Sequence, residues 1–190
     1  EAGASAFIGC FQSPVGIAAT QAAAKYNTPF LIDVGASDQL VRRGLKNVFR
    51  LKPGFGKCVD DGIAALGAIN KGAGGPAKTA VIVHESGEFG TGTANLLAGK
   101  LPSIGIEAKE LIPHDNPTRS FDNVALRIRS MAPDIVMMSN YGNEYMLLAR
   151  TLFQQKVELK GMFSVLGGGF NYKFVKDMPD VSQFMMDTNH

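Results

Sequence analysis

Two short apolar segments near the start of the sequence each lead into small residues that carry a hydroxyl group. Residues 30–32 precede a Gly-Ala-Ser turn that ends at Ser37, and residues 6–9 precede Ser13 and Pro14. Apolar runs bounded in this way are typical of buried strands, and Ser13 with Pro14 suits an N-cap followed by the first residue of a helix. Ligands of open parallel sheets bind at the carboxyl ends of the strands, where helix N-termini favour anions. The two segments therefore predict a site for a small carboxylate.

Aromatic residues follow two of the later apolar segments. Phe89 comes after residues 79–83, and Tyr141 comes after residues 134–138. If all these strand ends face one cleft, the rings would cover the apolar part of a ligand whose carboxylate is bound by the hydroxyl groups. Packing in the core is an equally good interpretation of each ring taken alone. Their shared position at a strand end favours ligand binding.

No catalytic, metal-binding or nucleotide-binding motif is complete in the sequence. Residues 54–57 lack the spacing and the Ser/Thr of a P-loop, and residues 89–92 lack the third glycine of a dinucleotide-binding turn. The segment Glu85-Ser86-Gly87 is not a nucleophile elbow, and the three histidines are isolated from one another. We therefore expect no enzyme activity, no catalytic residue, no metal and no cofactor.

The composition is that of a globular protein, with 45% hydrophobic and 19% charged residues. The 19 basic and 17 acidic residues are dispersed, which argues against a nucleic-acid partner. No apolar run approaches the roughly 18 residues of a spanning helix, and the start lacks the features of a signal peptide, so we expect that any export signal has been removed. Cys10 and Cys58 fall in different predicted lobes, which favours two buried thiols over a disulfide.

Strand and helix signals alternate along the chain, which is typical of a doubly wound α/β fold, a parallel sheet with helices on both faces. The predicted strands are 6–9, 30–32, 47–50, 79–83, 107–112, 134–138, 162–165 and 182–186. The predicted helices are 15–26, 58–69, 89–101, 121–131 with Ser120 as its cap, 143–155 and 172–176.

A break rich in glycine and proline, residues 52–56, predicts a crossing between a lobe at 1–52 and a lobe at 53–190. The five strand signals after the break suffice for a doubly wound lobe. Before the break there are only about three strands and one or two helices, too few to cover both faces of a parallel sheet. We therefore expect an internal piece of a longer chain, holding part of lobe I and nearly all of the main segment of lobe II.

Five segments in register resemble the type I periplasmic binding proteins of the branched-chain amino-acid (Leu/Ile/Val-binding) class, the substrate-binding proteins of ABC transporters. The resemblance extends over almost the whole chain and implies two lobes that close by a hinge over a ligand. In this class the chain crosses between the lobes three times, and residues 52–54 would form the first crossing. The segments are 8–13, 29–37, 43–50, 81–92 and 133–141.

The resemblance also implies roles for individual residues. Ser13, the backbone of Gly35, and the hydroxyl and N–H groups of Ser37 would bind the ligand's carboxylate. Phe89 and Tyr141 would form the lobe II side of the site, and Phe89 stands where a tyrosine is common.

One departure from the class concerns the turn after the strand predicted at 162–165. Members that bind amino acids have an acidic residue there for the ligand's ammonium group, whereas this chain has three glycines, of which Gly168 is a candidate ligand contact. A buried ammonium group without a carboxylate is costly. We therefore expect that the ligand is an aromatic or aliphatic acid without an α-amino group, with branched-chain or other amino acids as the alternative.

These inferences predict an extracytoplasmic solute-binding protein that captures a small carboxylate for the membrane permease of an ABC-type uptake transporter. At full length it would be a monomer in the periplasm, or a lipid-anchored protein at the cell surface where no outer membrane exists. A ligand-sensing receptor or regulator of the same fold is the first alternative, and a nucleotide-using α/β enzyme is the second.

Overall fold

The computed structural model describes residues 3–189, apart from the side chain of Phe170. The chain separates into two compact units, the first ending at Lys57 and the second comprising Cys58–Asn189. The division falls in the first turn of helix α3 (Phe55–Gly72), a few residues after the crossing that the sequence predicts. Each unit has its own parallel sheet and its own hydrophobic core.

The first unit contains a three-stranded parallel sheet in the order β1-β2-β3. All three strands were predicted from their short apolar runs, and they are confirmed. Its elements are β1 (Phe7–Ile8), α1 (Ser13–Ala24), β2 (Phe30–Ile32), α2 (Gln39–Arg42) and β3 (Val48–Arg50).

The core of the first unit lies on one face of this sheet. Phe30, Ile32 and Val48 pack there against Ala23 of α1 and Leu40 of α2. The neighbouring residues 8, 31 and 49 pair with one another across the three strands and face the opposite side of the sheet. They are less buried than the residues of the core face.

The second unit contains a five-stranded parallel sheet in the order β5-β4-β6-β7-β8. Helices alternate with the strands, which confirms the predicted α/β class. After α3, its elements are β4 (Thr79–Glu85), α4 (Glu88–Lys100), a 3₁₀ turn (Leu101–Ile104), β5 (Glu107–His114), α5 (Asp122–Met131), β6 (Ile135–Ser139), α6 (Gly142–Gln154), β7 (Gly161–Val165), a 3₁₀ turn (Gly168–Phe170), α7 (Tyr172–Asp177), α8 (Pro179–Ser182) and β8 (Met185–Thr188).

Both faces of the second sheet are buried, so this unit is doubly wound. Ile82 and Met137 belong to the core cluster that includes residues of α3 and α4, and Val83 and Met138 belong to the cluster that includes residues of α5 and α6. The central strands therefore read as continuous apolar runs, which explains why the sequence predicts them correctly. Within residues 3–189, no helix is both long enough and apolar enough to cross a membrane.

Two helices begin differently from the prediction. Gln12, not Ser13, is the N-cap of α1, because the Ser13 hydroxyl oxygen accepts the Ser37 N–H at 3.3 Å instead of an N–H of its own helix. Phe121 is the N-cap of α5, although the hydroxyl oxygen of Ser120 still accepts the Asp122 N–H at 3.1 Å.

The predicted strand at 182–186 lies too early in the chain. The structure has a short helix, α8, that ends at Ser182, and the strand β8 begins only at Met185. Pro179 at the first helical position favours this helix, and its Val181 is buried in the core.

One residue of the predicted apolar face of α3 is not in the core. Val59, Ile63 and Leu66 are buried, whereas Ile69 is 45% exposed. Asn70 takes the next inward position instead, because its amide forms two hydrogen bonds of 2.9 Å with the backbone of Ala77.

Asp134 connects the amino ends of three strands of the second sheet. Its Oδ2 accepts the N–H groups of Lys78 and Thr79 at 2.7 and 2.9 Å and the Thr79 hydroxyl at 3.1 Å. Its Oδ1 lies 2.5 Å from the Lys160 ammonium group, just before β7. The Lys160 ammonium group and these donors hold the pKa of the Asp134 carboxyl well below its usual range.

We expect Asp134→Asn to lower the free energy of unfolding by about 1–3 kcal/mol at pH 7, because the amide cannot replace the charged acceptor. A depressed folded-state pKa stabilises the protein above the unfolded pKa of about 3.9, and this contribution disappears as the pH falls further. The difference in unfolding free energy between the original protein and the Asp134→Asn variant, measured by urea unfolding, should therefore shrink as the pH falls from about 5 to about 3. Exposed Asp115, changed to Asn, is the control. A difference that stays constant over this pH range would contradict the role of the charge.

Candidate functional site

In the first unit, the two predicted hydroxyl turns lie together. Ser13 and Ser37 are both buried, and the Ser37 N–H donates to Ser13 Oγ. Ser37 Oγ accepts the Gln39 N–H at 3.1 Å, which fixes the start of α2. The Gly35 N–H donates to the Cys10 carbonyl oxygen at 2.8 Å. The groups predicted to bind a carboxylate are thus adjacent, and the N–H groups of Gly35 and Ser37 are engaged within the protein.

Arg50, at the end of β3, holds the Ser37 turn in place. Its guanidinium group donates to the carbonyl oxygens of Ala36 and Ser37 at 3.1 and 2.8 Å and pairs with Asp38 at 3.0 Å. Asp38 in turn accepts the Gly56 N–H at 3.2 Å, so the same ion pair reaches the start of α3. The Arg50 side chain is only 10% exposed. Sequence reasoning missed it, although a charged residue at the end of a buried strand is a usable signal.

We expect Arg50→Met to lower the free energy of unfolding by about 3 kcal/mol, because it leaves Asp38 and two carbonyl oxygens without their charged partner. Arg50→Lys should recover only part of this loss, since an ammonium group cannot form the same planar set of hydrogen bonds. Urea unfolding measures both effects, with the exposed residue Arg42 changed to Met as the control. Equal stability of the Arg50 and Arg42 variants would contradict the assigned role.

The cysteines lie apart from this network of charged groups. Cys58 is buried as predicted, whereas Cys10 is only half-buried, and the two do not form a disulfide with each other. Partial burial raises the pKa of the Cys10 thiol above its ordinary value.

In the second unit, Phe89 and Tyr141 stack on each other. Their ring centroids are 5.2 Å apart and the rings are inclined by 26°. Phe89 lies in the first turn of α4, which follows β4, and Tyr141 follows β6. Strand order reverses between these two strands, since β5 lies on one side of β4 and β6 on the other. Ligands of doubly wound sheets bind at the crevice formed by such a reversal.

Glu85 fixes the turn that carries Phe89. Its carboxylate is buried at 4% exposure and accepts the N–H groups of Gly87 and Gly90 at 2.6 and 2.5 Å. A side chain at Gly90 would overlap the backbone of Glu85, so glycine is required where the helix approaches the strand. The Phe-Gly pair at 89–90 therefore has a structural reason that does not involve a nucleotide.

Buried polar residues lie next to the ring pair, and sequence reasoning missed them. His114 ends β5 and Asn140 follows β6, and their side chains meet with His114 Nε2 2.5 Å from Asn140 Nδ2. His114 Nδ1 lies 2.7 Å from the carbonyl oxygen of Asp115. The signal available in the sequence was a histidine and an asparagine that each come shortly after a predicted strand.

The three glycines after β7 pack closely against Tyr145 of α6. A Cβ atom on Gly168 would lie 2.8 Å from both Gly142 Cα and Tyr145 Cβ. Burial raises the pKa of the Tyr145 hydroxyl well above its ordinary value. Gly168 thus has a packing role, and its contact with a ligand stays a prediction.

An acidic residue does lie beside this glycine turn, although it comes from the neighbouring strand. Asp187 of β8 accepts the Ser164 hydroxyl at 2.7 Å and the Gly167 N–H at 3.2 Å through Oδ1. Its carboxylate supports the turn from the side of β8. The sequence pattern missed this arrangement because the two segments meet only through strand pairing.

We expect Gly168→Ala to lower the free energy of unfolding by about 1–3 kcal/mol, because the added methyl group overlaps the backbone of α6 and the Tyr145 side chain. Gly99→Ala is the matched control, since Gly99 is exposed in α4 and a Cβ atom there meets nothing within 4 Å. The control should be neutral or more stable by up to about 1 kcal/mol, owing to the higher helix propensity of alanine. Thermal unfolding with calorimetry measures both. Equal effects of the two changes would argue against close packing at Gly168.

Within the described part of the chain, no group of three or more His, Cys, Asp or Glu side chains could hold a metal ion. The candidate ligand-binding groups are thus two adjacent buried serines in the first unit and, within the second unit, a ring pair with buried polar neighbours.

Comparison with known proteins gives a consistent result. The model of a protein family described as periplasmic binding protein matches residues 1–175. The "Leu/Ile/Val-binding protein homolog 8" of Brucella abortus is 24% identical in an alignment that is 190 residues long. This alignment covers 97% of this chain and 46% of the relative. The chain therefore spans about half the length of the curated relatives that it matches.

Two solved structures share the fold. An ABC transporter substrate-binding protein from Desulfitobacterium hafniense, in complex with Leu, has a TM-score of 0.65 and 18% identity, covering 86% of this chain and 47% of its own. A solute-binding protein of an ABC transporter from Rhodopseudomonas palustris BisB5, in complex with 3,4-dihydroxybenzoic acid, has a TM-score of 0.70 and 13% identity. The match covers 84% of this chain and 43% of that protein.

Proposed function

This chain belongs to the type I periplasmic binding proteins of the branched-chain amino-acid class, and we propose that it binds a small carboxylate for an ABC-type uptake transporter. The observation that carries this proposal is the stacked pair of Phe89 and Tyr141 at the reversal of strand order. Two rings at such a crevice offer an apolar surface to a ligand. The family's function in solute binding also supports a role without catalysis.

The carboxylate of the ligand would be bound by the first unit. Ser13 and Ser37 are buried there next to each other, and Arg50 fixes the backbone of the same turn. Ligand binding would require the hydroxyl and N–H groups of this turn to exchange partners, including the bond between Gly35 and Cys10. Gly168 would contribute backbone near the ring pair.

The ligand would be an aromatic or aliphatic acid without an α-amino group. Two structural neighbours differ in this respect, since one was solved with Leu and the other with 3,4-dihydroxybenzoic acid. The turn after β7 consists of glycines, and the nearby carboxylate of Asp187 already accepts two hydrogen bonds from Ser164 and Gly167. The glycines themselves offer a ligand ammonium group no carboxylate, which favours an acid that lacks this group.

The complete protein would act outside the cytoplasm, in the periplasm or attached to the cell surface by a lipid. It would be a monomer that passes its ligand to a membrane permease. Closure over the ligand would be favoured because only the closed state contacts the ligand from both lobes.

Calorimetric titration of the full-length protein tests this function with leucine, 4-methylpentanoate, benzoate and 3,4-dihydroxybenzoate. We expect at least one amine-free acid to bind more tightly than leucine. Phe89→Ala should weaken that binding about tenfold or more, because the ligand loses a ring contact worth about 0.5–1.5 kcal/mol together with buried apolar area. Phe153, exposed in α6, provides the control variant Phe153→Ala.

Tight binding of leucine with no response to the other acids would overturn the proposed ligand class. No binding of any of the four compounds would overturn the proposed carboxylate ligand as a whole. Unchanged affinity in Phe89→Ala would remove the ring pair from the site.

A further inference from the structure

The side-chain amide of Asn140 lies across the carboxyl edge of the second sheet. Asn140 follows β6 and contacts His114 at the end of β5, while β4 lies between these two strands. The contact therefore passes over the end of β4, at the reversal of strand order beside Tyr141. The Asn140 side chain is buried, with 1% of the residue exposed.

The hydrogen bonds of His114 determine which way the amide points. His114 Nδ1 lies 2.7 Å from the Asp115 carbonyl oxygen, which can only accept, so Nδ1 carries the proton. In the neutral ring Nε2 is then the acceptor, and the Asn140 Nδ2 group at 2.5 Å is its donor. The amide oxygen, Oδ1, points away from the ring.

The Asn140 oxygen has no hydrogen-bond donor among residues 3–189. The same holds for the hydroxyl groups of Ser139, the preceding residue, and of Thr93 in α4, both fully buried. A buried acceptor without a donor costs about 1–3 kcal/mol, so such a group in a native protein calls for an explanation. Asn140 directly precedes Tyr141, a ring predicted to contact the ligand, which points to a ligand as the source of the donor.

We propose that Asn140 is a specificity-determining residue that accepts a hydrogen bond from a hydroxyl group of the ligand. The inference rests on the proposed function and narrows the ligand to small hydroxylated acids. A neutral amide oxygen satisfies a hydroxyl group completely, whereas it cannot balance the full charge of a buried ammonium group. The carboxylate of Glu85, at the end of the neighbouring strand β4, already accepts the N–H groups of Gly87 and Gly90.

Matched pairs of acids test this inference by calorimetric titration of the full-length protein. The pairs are 4-methylpentanoate with 2-hydroxy-4-methylpentanoate, and benzoate with 3,4-dihydroxybenzoate. In at least one pair the hydroxylated acid should bind about tenfold or more tightly, because one satisfied buried acceptor is worth about 1–3 kcal/mol. Asn140→Leu should reduce the affinity for that acid to the level of its partner and leave the partner's affinity unchanged. Asn143→Leu, an exposed change three residues later, should keep the preference.

A second variant keeps the test decisive if Asn140→Leu fails to fold. Asn140→Asp has nearly the same shape and places a carboxylate beside His114. It should shift the preference from 2-hydroxy-4-methylpentanoate toward leucine, which carries an ammonium group at the same carbon.

The outcomes separate the two proposals. Equal binding of both members in each pair, or a preference that survives in Asn140→Leu and does not shift in Asn140→Asp, would overturn the role of Asn140 and leave the proposed function standing. No binding of any acid would overturn the proposed function and this inference with it.

Discussion

The reversal of strand order beside β4 is the constraint on which the candidate site of the second unit depends. The crossover from β4 leads to β5 on one side and the crossover from β6 leads to β7 on the other, so the turns after β4 and β6 diverge to opposite faces of the sheet. Phe89 and Tyr141, one from each turn, stack on each other where the turns diverge. Because all five strands are parallel, His114 and Asn140 end at the same edge. The topology alone therefore gathers residues that are far apart in the sequence.

Close backbone packing holds these turns in place. Gly90 lets the start of α4 approach Glu85, and Gly168 lets the turn after β7 rest on α6. In both places a carboxylate accepts backbone N–H groups of the turn, Glu85 in the first and Asp187 in the second. The first unit uses the reverse chemistry, since the Arg50 guanidinium group donates to backbone carbonyl oxygens. Charged side chains in this chain thus serve to fix loops.

The sequence predicts the strands well because buried parallel strands are continuous apolar runs between turn residues. It fails where tertiary contacts decide the local structure. Ser13 bonds to Ser37 instead of capping its own helix, and Asn70 replaces Ile69 on the buried face of α3. The last strand is predicted too early in the sequence, because Pro179 starts a helix in a segment whose apolar residues also suit a strand.

In the candidate site, only the residues that follow recognisable strands could be predicted from the sequence. The serines and the two rings follow apolar runs, so their positions could be inferred from the pattern. The pattern places Arg50 and His114 near strand ends, but it cannot give their roles or that of Asp187, since each acts through a partner more than ten residues away in the sequence. Pairing between strands creates these contacts, and no local pattern records it.

The proposed preference for a ligand without an ammonium group follows from how the turns after the strands are built. Glu85 accepts the N–H groups of Gly87 and Gly90, and Asp187 accepts the Gly167 N–H and the Ser164 hydroxyl through Oδ1. A ligand cation that paired with Glu85 or with Oδ1 of Asp187 would compete with the bonds that hold these turns. A hydroxyl group needs only a neutral acceptor, and the Asn140 amide provides one without disturbing the support of either turn. The proposed preference for an acid without an ammonium group therefore rests on these engaged acids as well as on the glycines after β7.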